Sequence, residues 1–406
     1  ILEALTQMGG SGTKKALKKI KNIFVYLYYL AYYYVACVIG IAARYTKKYK
    51  DLWLIAERKT EARDNGFHFF KYMTGNHGEI NAAFIIEKNS PDYERINRLG
   101  RVIEPNSFSH MLAFVCARVR ISTHYMSCAP DTYRFAVLKK YGLVFGRDVL
   151  IRHGITSNDL KELHYPNARV DMLVCSSVPE YENMKTTYGH PNGVVQRLGL
   201  CRYDRLLTPH RVKRQILIMP TWRYFLKNLS DEDFVKSEYY NQFLRLLNDE
   251  KLIAVLEKYD YELVLYLHYE LQPYSELFKP MSERVRVLKK DKADVQDLLM
   301  SSAMLITDYS SVFFDFAYMS KPLAYLRFDE ERFYATQYGR GYFDCRTDGF
   351  GPVFDDAAQA AEHIRQKIED GMCVDDEYAR RAERFFGERT ANHCEKTYMA
   401  IKELLT

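Results

Sequence analysis

The feature that most limits what this chain can become is a rhythm of short apolar runs set between longer amphipathic stretches. From Asp51 onward the runs are Leu52–Ala56, Ala82–Ile86, Val119–Ser122, Val149–Arg152 and Val170–Cys175, each followed by polar or helix-like sequence. Runs this short and this continuously apolar suit strands buried on both faces, and the stretches between them supply the crossovers that parallel strands require. After a basic, proline-containing segment at 208–213 the rhythm restarts with Ile216–Met219, Leu263–Leu267, Val285–Leu288, Met304–Thr307 and Leu323–Leu326. The expected organisation is an α/β chain with a distinct segment over 1–50, one parallel-sheet domain over 51–208 and a second over 209–406. The amphipathic stretch 375–405 is long enough to cross back over the first domain. A length of 406 residues accommodates two such domains, and no repeat of solenoid period breaks the pattern.

Composition narrows the class of partner. With 48% hydrophobic and 27% charged residues the chain is globular, and disordered or collagen-like classes are excluded. Lys+Arg 58 against Asp+Glu 52 leaves a net charge of +6, a mild preference for anions. Much of that excess flanks an uncharged run: Lys14, Lys15, Lys18, Lys19 and Lys21 precede it, and Arg44, Lys47, Lys48 and Lys50 follow. The run is long enough to cross a bilayer, but Tyr26, Tyr28, Tyr29, Tyr32, Tyr33 and Tyr34 crowd into it. Tyrosine prefers the headgroup level, so an interfacial helix on an anionic membrane surface is expected here rather than a span. A transmembrane span and a buried or oligomer-forming helix are the alternatives. The run has no small-residue cleavage site and does not read as a cleavable signal. Eight scattered cysteines without a CxxC pair suit a reducing compartment, and no metal cluster is visible.

In open α/β sheets ligands bind beyond the carboxyl ends of the strands, which directs attention to the residues just after each run. Four endings carry chemistry: Arg152-His153-Gly154, Pro220-Thr221-Trp222-Arg223, His268-Tyr269, and Thr307-Asp308-Tyr309-Ser310-Ser311. Ser310 or Ser311 is placed to cap a new helix, where backbone N–H groups and hydroxyls together can hold a phosphate. Capping alone is the plainer reading. Asp308 reads as a cap or as a buried partner of a backbone N–H. His153, followed by glycine at a tight turn, is the candidate general base, and His268 the candidate donor to a phosphate oxygen. Arg223 is a candidate phosphate ligand through its planar fork, against the alternative of a surface salt bridge. A cleft between the two domains is the expected site. Gly9–Lys14 lacks the spacing and preceding strand of a P-loop, and Gly339-Arg340-Gly341 lacks the third glycine of a dinucleotide loop.

These residues also fall into an ordered set of motifs that resembles the CDP-glycerol glycerophosphotransferases, the teichoic acid primase and polymerase family. The set is Leu52–Arg58 with Ala62-Arg63-Asp64-Asn65-Gly66, then His153-Gly154-Ile155-Thr156 with Asn158-Asp159-Leu160, then Leu198–Leu206 around Arg202. Pro220-Thr221-Trp222-Arg223, His268 and Thr307–Asp315 complete it. The resemblance covers roughly 51–395. It implies a GT-B architecture, two Rossmann-like domains facing a central cleft, with the acceptor on the first domain and the CDP-alditol donor on the second. It implies a phosphotransfer in which an acceptor hydroxyl attacks the β-phosphate of CDP-glycerol and releases CMP, in teichoic acid or related surface-polymer synthesis.

By the same resemblance His153 is the base and His268 binds phosphate. Thr221, Arg223, Asp308, Ser310 and Ser311 form the donor site, and Asp64, Asn65, Gly66, Gly154 and Arg202 are further cleft candidates. No tightly bound cofactor or metal is implied. The implied partners are CDP-glycerol or CDP-ribitol, a polyprenyl-diphosphate-linked or polymeric acceptor and an anionic membrane surface, with no nucleic acid. The implied location is the cytoplasmic face of the bacterial cell membrane, held peripherally. Arg152 stands where Gln or Trp is usual, Cys201 where proline would be less surprising, and Met219 is likewise atypical. CDP-ribitol transfer, a capsule polymerase domain or a sugar-nucleotide glycosyltransferase fit the same fold, and a basic binder of anionic polymer is the non-enzyme alternative.

Overall fold

A computed structural model of the chain describes residues 11–289 and 294–406, with side chains described from residue 20 onward. The glycine patch at 9–12 and the side chains of Lys14, Lys15, Lys18 and Lys19 lie outside the described side chains.

Two parallel sheets organise the molecule. The first comprises β1 (Trp53–Ala56), β2 (Ala82–Ile85), β3 (Arg101–Ile103), β4 (Val119–Ser122), β5 (Asp148–Leu150), β6 (Met172–Cys175) and β7 (Val195–Arg197), in spatial order β3-β2-β1-β4-β5-β6-β7. The second comprises β8 (Gln215–Ile218), β9 (Glu262–Tyr266), β10 (Val285–Leu288), β11 (Met304–Thr307), β12 (Leu323–Leu326) and β13 (Val353–Phe354), in order β10-β9-β8-β11-β12-β13. Central strands β1, β4, β8 and β11 are buried along their whole length. Helices on both faces account for that burial, and the apolar clusters of each sheet divide between its two faces. Many of these helices begin on a residue that satisfies the first free amides. Ser107, Asp131, Ser177, Asp249 and Asp356 each accept a bond from an N–H of the first turn.

In both sheets the strand order reverses beside the earliest strand of the sheet, at β1/β4 and β8/β11, and it is there that loops part to leave a crevice. The final helix, His393–Leu405, packs on the first sheet: Tyr398 stacks on His77 at 3.7 Å, and Asp204 accepts from the His393 and Cys394 amides at 2.7 and 2.9 Å. Gly199 lies against the His393 ring so closely that a Cβ would stand 2.0 Å from Nδ1, and its φ of 82° is one a glycine adopts without strain.

The tyrosine-rich segment is one helix, Ser11–Ala43, and its stretch Ile20–Ala43 is long and apolar enough to cross a membrane by length and composition. One face docks on the first domain. Tyr33 and Ala36 are buried, Tyr33 packs edge-on to Phe114 and Phe135, and its hydroxyl accepts from the Phe145 amide at 2.9 Å. The opposite face leaves Ile23, Phe24, Leu27, Val35, Val38 and Ile41 exposed.

Candidate active site

A cleft of about 240 Å³ opens between the carboxyl ends of the two sheets. From the first sheet it is lined by Glu57, Arg58 and Asp64 after β1, Thr123 and His124 after β4, and His153 after β5; Ser311, Val312 and Asp315 face them from the second.

His153 reaches this position through a bent strand end. β5 continues its pairing one residue further through the Ile151 amide, which donates to the Ser122 carbonyl. Arg152 then turns the chain at φ 61°, a left-handed conformation that costs a non-glycine residue energy and needs support. Support comes from two sides. The buried Arg152 guanidinium lies 3.2 Å from Glu180, whose oxygens also accept from the Thr156 and Ser176 amides, and the Asn65 side-chain amide donates to the Arg152 carbonyl at 2.8 Å. Arg152 therefore braces the turn, with its charge directed away from the cleft.

The His153 ring is open to solvent yet sits at the bottom of the cleft, stacked on His124 with centroids 4.6 Å apart and planes 5° from parallel. Burial first, then the stacked His124 ring and the positive charges of Arg152, Arg202 and Arg58, push its pKa well below the ordinary 6.5. At neutral pH His153 is an uncharged imidazole that can accept a proton. Gly154 brings the opposite wall near: a Cβ there would stand 3.6 Å from the Ser311 hydroxyl. Ser311 holds the N-cap position of Val312–Tyr318, but its side chain makes no capping bond. The expectation that a serine here caps the helix is corrected for Ser311; Ser310, half-buried, precedes it in the same turn.

Arg202 ties the walls together. It is bidentate to Asp315 at 2.9 and 2.8 Å, and its third nitrogen reaches Asp64 at 2.9 Å and the His153 carbonyl at 2.5 Å. Asn65 accepts from the Arg202 amide at 2.9 Å. Burial pushes Asp64 up to about 6 against the pull of Arg202, so it is ionised at pH 7. Beneath it Glu57 accepts from the amides of Arg63, Asp64 and Phe67, and burial followed by the Asp64 charge pushes it up to about 8. Gly66 is required by this carboxyl, since a Cβ would stand 2.7 Å from Glu57 Cγ. Asp64, Asn65, Gly66 and Arg202 are thus the frame of the cleft.

The second set of predicted residues is arranged differently. Arg223 and Asp308 are fully buried. The Arg223 guanidinium lies 2.9 Å from Asp308 Oδ2 and binds Asp329 at 2.6 and 3.0 Å, while the Thr221 carbonyl accepts from its remaining nitrogen at 2.6 Å. Asp308 accepts from the Thr221 and Tyr309 amides. Burial opposes the Arg223 charge, and Asp308 and Asp329 outweigh it, raising the pKa. Arg223 is therefore neither an accessible phosphate ligand nor a surface salt bridge, and Asp308 is not a donor ligand: their polar groups are committed inward, and together they hold the turn that presents Ser310 and Ser311. Thr221 contributes its amide and carbonyl to the same cluster, and its hydroxyl is buried without a hydrogen bond among the described residues.

His268, half-buried, accepts from the Glu270 amide through Nδ1 at 3.3 Å, which leaves Nε2 to carry the proton. Burial pushes it down to about 4, so it is a neutral N–H donor. It does not line the His153 cleft itself, but Arg58 bridges the two: its guanidinium stands 5.7 Å above the Tyr269 ring and lowers the pKa of both histidines. Arg58 is exposed and forms no salt bridge among the described residues. Arg58, His124, Glu57 and Glu180 are the site residues that strand-end reasoning did not select. For His124 a signal existed, because Thr123-His124 directly follows the apolar run Val119–Ser122.

Comparison with known proteins follows the same lines. The sequence matches the family described as CDP-Glycerol:Poly(glycerophosphate) glycerophosphotransferase over residues 38–403. The minor teichoic acid biosynthesis protein GgaB of Bacillus subtilis (strain 168) is 31% identical over 373 residues, covering 87% of this chain and 40% of that protein. The teichoic acid poly(glycerol phosphate) polymerase of the same strain is 32% identical over 169 residues, covering 40% of this chain and 20% of that protein. The chain thus spans less than half the length of these relatives. A structure of a variant of the wall teichoic acid polymerase TagF soaked with CDPG matches with a TM-score of 0.66 at 17% identity, over 96% of this chain and 97% of that one. The shared fold is the GT-B arrangement, two Rossmann-like domains facing a central cleft.

Proposed function

The chain belongs to the CDP-glycerol:poly(glycerophosphate) glycerophosphotransferase family, and from that premise we propose that it moves glycerol phosphate from CDP-glycerol to a hydroxyl of a lipid-linked or polymeric acceptor. The carrying observation is His153: a neutral imidazole, open to solvent, at the foot of an interdomain cleft whose other wall offers a serine hydroxyl that makes no capping bond. In the proposed step an imidazole nitrogen of His153 takes the proton of the acceptor hydroxyl. The acceptor oxygen bonds to the phosphorus that bears glycerol, and the bond from that phosphorus to the bridging oxygen breaks, its electron pair leaving with CMP.

Charge that develops on the phosphoryl oxygens needs donors already in place. His268, protonated at Nε2, and the Ser310–Ser311 turn fill that role from the second domain. Arg58 supplies a cation at the mouth, in the place first given to Arg223. Incubating the protein with CDP-glycerol, CDP-ribitol or a UDP-sugar and an acceptor lipid ending in glycerol phosphate, with product mass measured, tests the reading. CMP release with a mass gain of one glycerol phosphate is expected; turnover of a UDP-sugar alone overturns it.

We read the exposed apolar face of Ile20–Ala43 as an interfacial anchor at the cytoplasmic side of the membrane, where a lipid-linked acceptor would be met. Phe108, Tyr141, Leu143 and Phe145 add exposed apolar surface, and Tyr32 packs beside Phe108 while the Tyr34 hydroxyl donates to the Leu143 carbonyl. Deleting the helix would uncover Phe114 and Phe135, so substitution of the outer face is the cleaner test. Phe24→Glu with Leu27→Glu is expected to abolish co-sedimentation with anionic liposomes, and retained binding contradicts the reading.

A further inference from the structure

We infer that His124 is a positioning residue for His153, holding its ring in plane and sheltering it through the proton transfer. The inference rests on the reading of His153 as the base.

The two histidines end neighbouring parallel strands, β4 and β5, with Ser122 opposite Leu150 in register. His124 lies two residues past that pair and His153 three, and the left-handed turn at Arg152 absorbs the difference so that the rings meet face to face. The stack is close to parallel, and His124 is itself held: its Nδ1 lies 3.0 Å from the Thr123 hydroxyl. A side chain at the end of a short strand has two soft torsions, and covering one face of the imidazole removes most of that freedom. Base catalysis depends steeply on such positioning, because a nitrogen misplaced by about 1 Å can cost on the order of 100-fold in rate.

The stack also acts on the charge. When His153 gains a proton, an imidazolium forms beside the His124 ring, which keeps water from that face and so helps hold the His153 pKa down. His124 is suited to stay neutral at that moment, since burial and then Arg58 hold its pKa down to about 4. The other titratable and charged groups around the pair are Glu57, Arg58, Glu61, Arg63 and Asp64 after β1, Arg152 behind the turn on Glu180, Arg202 between the walls, and Asp315 across the cleft. Most carboxylates among them are engaged by Arg202 or by backbone amides.

Three variants of the full chain test this with CDP-glycerol and an acceptor lipid ending in glycerol phosphate. His124→Ala is expected to lower kcat by about 10- to 100-fold with KM for CDP-glycerol unchanged. It also opens the second face of His153 to water, relieving the burial that depresses its pKa, so the acid limb of the kcat profile moves to higher pH. His124→Phe keeps the face covered, and it is expected to recover most of the rate with the limb where the wild type has it. A merely structural role would lower the active fraction in both variants and move neither limb. Wild-type kcat and an unmoved limb in His124→Ala, with His153→Ala inactive, overturn the inference and leave the base reading standing. Near-normal turnover by His153→Ala overturns the base reading, and this inference with it.

Discussion

Two strand-end clusters in this molecule look alike in sequence and differ in kind. His153-Gly154 with Ser311 lies open in the cleft, whereas Thr221, Arg223 and Asp308, also at strand ends, are closed into a buried network with Asp329. The contrast teaches that a strand end fixes where a polar group stands, while its availability depends on whether the chain supplies a partner elsewhere. Arg223 finds Asp329 106 positions away and is consumed. Among the described residues His153 has a stacked imidazole as its ring partner, and its nitrogens remain usable.

Substitutions on the two sides should therefore fail in different ways. The largest effect is expected at His153: His153→Ala should lose about 10²- to 10⁴-fold in kcat, the range of a general base, while CDP-glycerol binding and the melting curve stay near wild type. Arg223→Ala should cost about 3–5 kcal/mol of stability, because Asp308 and Asp329 are left as buried unpaired charges. Urea unfolding measures this, and a loss under about 1 kcal/mol would return Arg223 to the list of accessible ligands. Gly66→Ala should cost about 1–3 kcal/mol through the clash with Glu57, read from the same curves. Smallest is Ser311→Ala, expected to weaken CDP-glycerol by roughly fivefold to tenfold, the worth of about one hydrogen bond, with no change in unfolding midpoint. If Ser311→Ala destabilises the fold and leaves the donor affinity intact, the two clusters are not different in kind.

Much of the fold was legible because its inner strands are buried on both faces and so read as nearly continuous apolar runs; Val119–Ser122, Met304–Thr307 and Leu323–Leu326 match strand for strand, as does the edge strand Val285–Leu288. The strands β3, β7 and β13 escaped notice. They are edge strands of two or three residues, and an edge tolerates Arg101, Gln196 and Arg197 where a central strand would not. Within the candidate site, His153, Gly154 and Ser311 could be found from strand ends alone. Arg223 and Asp308 could be located but not interpreted, since Asp329 follows a different strand. Glu180 carries no local signal, because it works by accepting backbone amides that only the folded turns bring together, and Glu57, although it directly follows the run Leu52–Ala56, does the same. His124 was within reach of the strand-end rule and stood outside the selected set.

The most direct measurement is the pH dependence of kcat/KM for CMP release from CDP-glycerol, taken for the wild type and for whatever rate remains in His153→Ala. Burial and the positive neighbours hold the His153 pKa well below 6.5, and a base works only when unprotonated. The wild-type rate should therefore stay level as pH falls through 6.5 and drop only below it, and His153→Ala should show no such limb. The same limb persisting in His153→Ala would contradict His153 as the base of this cleft, whereas a wild-type limb at or above 6.5 that vanishes in His153→Ala would overturn its lowered pKa alone.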